Sequence, residues 1–121
     1  MNADNTELVI AHTWSGAEEL AKMVPKARVV AAFNTIPSEA LFGVYAAKRK
    51  SGRPGLVFYG DDESAKGVVV ELIRDLGFEP VDAGPLSMAR YAEPFALLVA
   101  QLAYECDSGP ELAYRFERFL E

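Results

Sequence analysis

A single cysteine, Cys106, and a single histidine, His12, stand in a chain of 121 residues. One cysteine cannot form an internal disulfide, and with no cluster of cysteines or histidines around either residue no metal site is expected. That usage fits a reducing, cytoplasmic setting. Basic residues are in the minority, 12 against 18 acidic ones, for a formal net charge of -6. Contacting nucleic-acid phosphates takes a basic face, so this balance argues against such a partner. The one basic cluster, Lys48-Arg49-Lys50 with Arg53, lies among Ser51, Gly52, Pro54 and Gly55 and reads as a solvated loop rather than a phosphate site. Long apolar runs are missing too. Phe95 to Ala103 is broken by Gln101 and flanked by Glu93 and Glu105, far short of the roughly 20 residues of a membrane span. Met1 to Glu7 is polar and acidic, without the basic and apolar regions of a secretion signal. A soluble chain with no membrane partner is expected.

The nine glycines never take the spacing G-x-G-x-x-G, and no G-x-x-x-x-G-K-[ST] loop is present. Tight dinucleotide binding by this chain alone is therefore not expected. What is there is a hydrophobic half, 50% of residues on a generous count, enough for one domain over residues 1–121. Apolar runs and amphipathic stretches alternate, the pattern of a sheet covered by helices. Leu8-Val9-Ile10-Ala11 is a short apolar run that reads as a strand, with a loop made an equal reading by the resemblance given below. Ser15-Gly16-Ala17-Glu18 has capping-box spacing ahead of a helix from Gly16 to Val24. Arg28 to Phe33 reads as a central strand because Val29, Val30, Ala31 and Ala32 are apolar on both faces.

Pro37 fits the first turn of a short helix ending at Phe42, and Gly43 to Gly55 reads as a mobile loop. Leu56 to Tyr59 is the next strand, closed by Gly60. Asp61 or Asp62 then caps a helix with apolar positions at Ala65, Val68, Val69, Leu72, Ile73 and Leu76, stopped by Gly77. Pro80 to Ala83 makes a short strand with Gly84-Pro85 as its exit. A long helix spans Leu86 to Tyr104, kinked or split by Pro94, and an amphipathic helix spans Pro110 to Leu120. In a parallel sheet the turns after the three strands share one edge, where open α/β sheets bind ligands.

No catalytic triad can be assembled. His12 is expected in a local capping or surface role, and Asp61-Asp62-Glu63 reads as capping rather than as a metal cluster. Asn34, with a donor and an acceptor, suits a carboxamide or pyrimidine-like ring. Capping of the next helix by Asn34 and Thr35 is an equal reading.

Ala32-Phe33-Asn34-Thr35-Ile36-Pro37, Phe58-Tyr59-Gly60-Asp61-Asp62, Ala65-Lys66, Leu72-Ile73, Leu76-Gly77-Phe78 and Pro80-Val81-Asp82-Ala83-Gly84-Pro85-Leu86 with Ala89-Arg90 resemble the family of NADPH-dependent coenzyme F420 reductases. More loosely, they are similar to the oxidoreductase domain of the STEAP metalloreductases. Thr13 to Ala21 looks like the segment upstream of that strand in bacterial members. The resemblance implies an α/β, partial Rossmann-like three-layer fold of three or four mostly parallel strands with flanking helices, lacking the GxGxxG half. By that carry-over Asn34, Thr35, Pro37 and Ser38 line a nicotinamide pocket of NADP, with the Ser38 amide toward the carboxamide. Pro85, Leu86 and Ser87 approach an F420 or flavin acceptor. Arg90 and Glu93, three apart, are expected to form an ion pair that fixes helix position.

Two functions remain open on these grounds. One is a fragment or subunit of an NADP-dependent oxidoreductase, inactive alone and completed by an N-terminal nucleotide-binding partner chain. The other is a non-catalytic binding or assembly module that self-associates. Both imply a homo-oligomer, a dimer with or without exchanged helices, because half a Rossmann sheet leaves apolar surface uncovered.

Overall fold

The computed structural model describes residues 13–119, so the strand-or-loop run at Leu8–Ala11 and the expected role of His12 lie outside the described residues. Seven elements and a short turn follow in order: α1 (Gly16–Met23), β1 (Val30–Ala31), α2 (Ser38–Ala47), β2 (Gly55–Gly60), α3 (Glu63–Asp75), β3 (Glu79–Asp82), a 3-10 turn (Leu86–Met88) and α4 (Ala89–Tyr104). β2 is the middle strand of a sheet ordered β1-β2-β3. β3 joins it in parallel, from Gly55 opposite Glu79 to Phe58 opposite Asp82, with α3 as the crossover. β1 joins it antiparallel, Val30 opposite Gly60 and Ala31 opposite Tyr59. The sheet is mixed.

The apolar run Val29 to Ala32, read from sequence as a central strand, is a two-residue strand at the sheet edge. One local feature lets it approach β2 and another ends it. Gly60 lets β1 come close, since a Cβ there would meet the Val29 carbonyl oxygen at 3.0 Å. At Phe33 the chain leaves the sheet through φ 68°, a left-handed conformation that is an outlier for a bulky residue. Because β1 runs against β2, its exit turn does not share an edge with the other two. The turns after β2 and β3 sit together, and the Asn34 turn lies toward the first half of β2.

Alternation along β2 supplies two layers of core. Leu56 and Phe58 pack with Ile36, Ala40, Ile73 and Phe78, under α2 and α3. Tyr59 packs on the other face with Leu86 and Ala89, and with Ala17 and Ala21 of α1. Burying side chains of this size contributes roughly 1.5–3 kcal/mol each, which is why β2 organises both faces.

The helix boundaries follow their caps. Asp62 accepts from the Ala65 amide at 2.8 Å, and Gly77, at φ 96° and crowded by the Val44 carbonyl, ends the α3 region. α2 extends past the expected stop at Phe42 to Ala47, with Gly43 inside it at a place where an added Cβ would meet nothing within 4 Å. The loop is correspondingly shorter, about residues 48–54, and its arginines bond its own carbonyls: Arg53 Nε to Arg49 O at 2.6 Å and Arg49 Nη1 to Gly52 O at 3.4 Å. α4 runs through Pro94, with residues 86–88 as a separate 3-10 turn.

The segment after Gly109 is not the expected helix. Residues 111–118 carry no regular structure, and Tyr114 lies against β2, its carbonyl accepting from Gly55 N at 2.6 Å. An isolated helix of about eleven residues is marginal in water, whereas this extended path satisfies strand amides that β1 vacates.

Candidate functional site

A cleft of about 700 Å³ opens between the Asn34–Ser38 turn and the side of α4 that carries Ala96, Leu97, Ala100, Gln101 and Tyr104. The turn wall is built by Phe33, whose left-handed backbone swings the chain off the sheet, and by Pro37, whose extended backbone starts α2. Strained residues of this kind persist only where the surroundings hold them, and they concentrate at ligand sites.

Asn34 is exposed, and its Nδ2 donates to Tyr59 Oη at 3.0 Å. That bond orients the carboxamide and leaves its oxygen and second N–H without a hydrogen-bond partner among the described residues. Thr35 is 1% exposed, and its hydroxyl meets Tyr114 Oη at 2.6 Å. Burial pushes both phenols above their ordinary range, so both keep their protons at neutral pH. Pro37 is buried, and Ser38 is exposed with its hydroxyl donating to Glu39 at 3.0 Å. At the rim Tyr104 Oη donates to Glu39 Oε1 at 2.7 Å, linking the end of α4 to the start of α2. This bond holds the Glu39 carboxyl below its usual range.

Asn34, Thr35, Pro37 and Ser38 are thus brought together on one wall. Pro85, Leu86 and Ser87 are not among the cleft's lining residues. Leu86 is packed beneath Tyr59 in the second core cluster, while Pro85 is exposed and Ser87 half-buried.

The turns after β2 and β3 have their polar groups turned inward. Asp61 accepts from the Leu86 amide at 3.0 Å. Lys66, 5% exposed, donates to Asp82 at 2.8 Å and to the Gly84 carbonyl at 3.1 Å. Burial raises the Asp82 carboxyl, but hydrogen bonds from Lys66 and the Gly84 amide outweigh it and hold the group below its ordinary range.

Arg90 and Glu93 do not pair with each other. Arg90 makes a bidentate bond to Glu18 at 2.8 and 2.9 Å, and Glu93 accepts from the Gly16 and Ala17 amides at 2.8 and 3.0 Å. Both fix helix position, but by holding α1 against α4. The capping box is correspondingly half formed. Ser15 Oγ accepts from the Glu18 amide and donates to its carboxylate, while Glu93 serves the amides at the helix start.

Tyr59 and Tyr114 were not singled out in the sequence. For Tyr59 the signal was a phenol inside an otherwise apolar strand, since a buried hydroxyl finds a partner. For Tyr114 it was the alternation Leu112, Tyr114, Phe116.

The donor set fits one end of a nicotinamide cofactor. Asn34 and the free amides at the start of α2 match a carboxamide, and the α4 wall matches a flat ring. It does not fit the phosphates: the lining residues include no lysine or arginine, and their one charged member is Glu105.

No family model matches the chain. It is 39% identical over 88 residues to the metalloreductase STEAP3 of Rattus norvegicus, covering 73% of this chain and 17% of that protein. It is 34% identical over 98 residues to STEAP2 of Mus musculus, covering 80% and 19%. Among solved structures it matches a protein of Arthrobacter sp. assigned as an F420-dependent NADP reductase, with TM-score 0.80 and 25% identity over 93% of this chain and 50% of that one. A hypothetical protein of Sinorhizobium meliloti matches with TM-score 0.55 and 36% identity over 63% and 37%. The chain spans under a fifth of these curated relatives and half of the Arthrobacter structure. It is similar to NADP reductases of the F420 type and to STEAP metalloreductases in sequence, and it shares the Rossmann-like α/β fold of the former. Among the described residues no helix is long and apolar enough to cross a membrane.

Proposed function

We propose that this chain supplies the nicotinamide side of an NADP-dependent oxidoreductase site, completed by a partner chain that carries the GxGxxG half, and that it does not turn over alone. The observation that carries this reading is the cleft whose one wall is the Asn34–Ser38 turn, with Asn34 oriented by Tyr59. When bound, the nicotinamide cofactor would supply hydride to a flavin- or F420-type acceptor. The chain's own residues bind and orient. Asn34 and the Ser38 amide hold the carboxamide, and Ala96, Leu97 and Ala100 exclude water from one side of the ring. Pro85, Leu86 and Ser87, on the turn at the other end of β2, take no part in this cleft. No side chain need exchange a proton for this chemistry, which agrees with the lack of a triad. The test is titration with NADPH followed by nicotinamide fluorescence, with and without FMN or F420. Weak binding that tightens when the GxGxxG-bearing half is added supports the reading, and no binding at millimolar cofactor in either case overturns it.

A self-associating module is the second reading, favoured by Tyr91, Leu98 and Leu102, which are 58%, 54% and 46% exposed along α4. Their spacing of seven and then four residues makes one apolar stripe, and a second copy of this chain would cover it, face to face or by exchange of α4. Light scattering should show a dimer that Leu98→Glu with Leu102→Glu converts to monomer. A monomer in the unaltered protein removes this reading.

A further inference from the structure

Tyr114 touches the turn wall of the cleft and, through Phe95, the helix that carries the other wall. Its hydroxyl meets Thr35 Oγ1 at 2.6 Å on the turn wall, and its ring stands edge-on to Phe95 of α4, centroids 5.3 Å apart at 80°. It is fixed from below as well. Val57 N donates to the same hydroxyl at 2.9 Å and Gly55 N to the Tyr114 carbonyl at 2.6 Å, the two amides of β2 that lie beyond the end of β1. With Val57 N–H already donating to the phenol oxygen, the phenol's own proton is free to point at Thr35. Phe116 stacks behind, 5.5 Å from Tyr114 and 6.4 Å from Phe95. One residue of the C-terminal segment therefore joins the sheet, the turn and the helix.

We propose that Tyr114 is a positioning residue that sets the separation of the two cleft walls, so that the C-terminal segment acts as the strap that gives the site its width. The rim bond between Tyr104 and Glu39 also spans the walls, but between exposed groups, where water competes for each partner. Tyr114 works where Thr35 is sealed from solvent, and a hydrogen bond lost there leaves its partners unsatisfied. The consequence for ligands rests on the nicotinamide reading of the cleft; the consequence for the turn does not.

Tyr114→Phe keeps the ring against Phe95 and the backbone bond to Gly55 and removes only the hydroxyl. In ligand-free protein, amide hydrogen exchange at residues 34–36 and 57 should rise about tenfold in this variant while exchange in α3 stays unchanged. NADPH affinity should fall roughly five- to tenfold, the loss expected for one buried hydrogen bond. Tyr104→Phe should change exchange at residues 34–36 by no more than about twofold. Unchanged exchange at 34–36 overturns the proposal, and so does an equal rise throughout α3, which would mean general loosening. Should Tyr114→Phe fail to fold, Thr35→Val breaks the same contact from the other side and should give the same local rise. Combining the two should add nothing to the larger single effect, and full additivity contradicts the tie. If no NADPH binds with or without the GxGxxG-bearing half, the nicotinamide reading fails while the exchange results still decide the role of Tyr114.

Discussion

The turn after β1 and the pair of turns after β2 and β3 look alike in sequence, each a short polar stretch of Asn, Asp, Ser and Pro at the end of an apolar strand. In the folded chain they differ in where their polar groups point. Around Asp61, Lys66 and Asp82 the groups satisfy one another and the neighbouring backbone. Asn34 lines a cleft, and its side chain is held by one bond, with the rest of its carboxamide unpaired among the described residues. On the proposed nicotinamide reading, the contrast separates polarity that stabilises from polarity left for a ligand. The backbone reports the same division, because the exposed turn is entered through the left-handed Phe33 and the satisfied turns use Gly84 for their positive φ.

Replacing Lys66 gives the largest expected effect. Lys66→Ala removes the hub of the satisfied network and should cost about 2 kcal/mol in denaturant unfolding, less than a fully buried pair because Asp82 is half exposed. NADPH affinity of the folded variant should stay the same. A large loss of affinity without loss of stability would erase the distinction between the two regions.

Asn34→Ala should do the reverse. Isothermal titration should show roughly tenfold weaker NADPH binding, corresponding to about 1.4 kcal/mol, with a loss of unfolding stability smaller than that of Lys66→Ala, since Asn34 is exposed and only the Tyr59 hydroxyl loses its partner. Tyr59→Phe sharpens the point by leaving Asn34 in place but unoriented. A roughly three- to fivefold loss is expected from one modest hydrogen bond.

The smallest effect concerns pH at the α1–α4 contact. The Arg90 hydrogen bonds hold Glu18 below the ordinary glutamate value of 4.5, against burial that pushes it up. A carboxyl lowered in the folded state contributes stability above its unfolded value and loses it as pH falls through the folded one. Trp14, the only tryptophan, lies 5.6 Å from the Arg90 guanidinium, so its fluorescence should change as pH drops below about 4.5 while the cleft turn is unaffected. Glu18→Gln should abolish that acid step, and its persistence would assign the change to another carboxylate.

Much of this architecture was legible because its signals are local. Asp62, the 3.6-residue spacing from Ala65 to Leu76 and Gly77 define α3 within one stretch of chain, and the apolar run Leu56–Tyr59 marks a strand, although the central position was read at Arg28–Phe33 and belongs to β2. The direction of β1 was not legible, since Val29 to Ala32 carries no information about which neighbour it meets or which way it runs. The partner of Arg90 was hidden for the same reason: Glu93 is close in sequence, but Glu18 reaches it through tertiary packing. Residues 110–120 misled by composition. Leu112, Phe116, Phe119 and Leu120 suit a helix face, yet the vacant amides of Gly55 and Val57 reward an extended path. At the site, the Asn34–Ser38 turn could be read in advance, whereas the opposing α4 wall and the two tyrosines exist only once the chain has folded.

The central claim is that the Asn34 turn, and not the network around Asp61 and Asp82, faces the ligand. Backbone amide shifts recorded by NMR during titration with NADPH test it most directly. The account predicts that shifts concentrate at residues 34–39 and 96–101, with residues 61–66 and 82–84 unmoved. Shifts concentrated at 61–66 and 82–84, with the Asn34 turn silent, would contradict it.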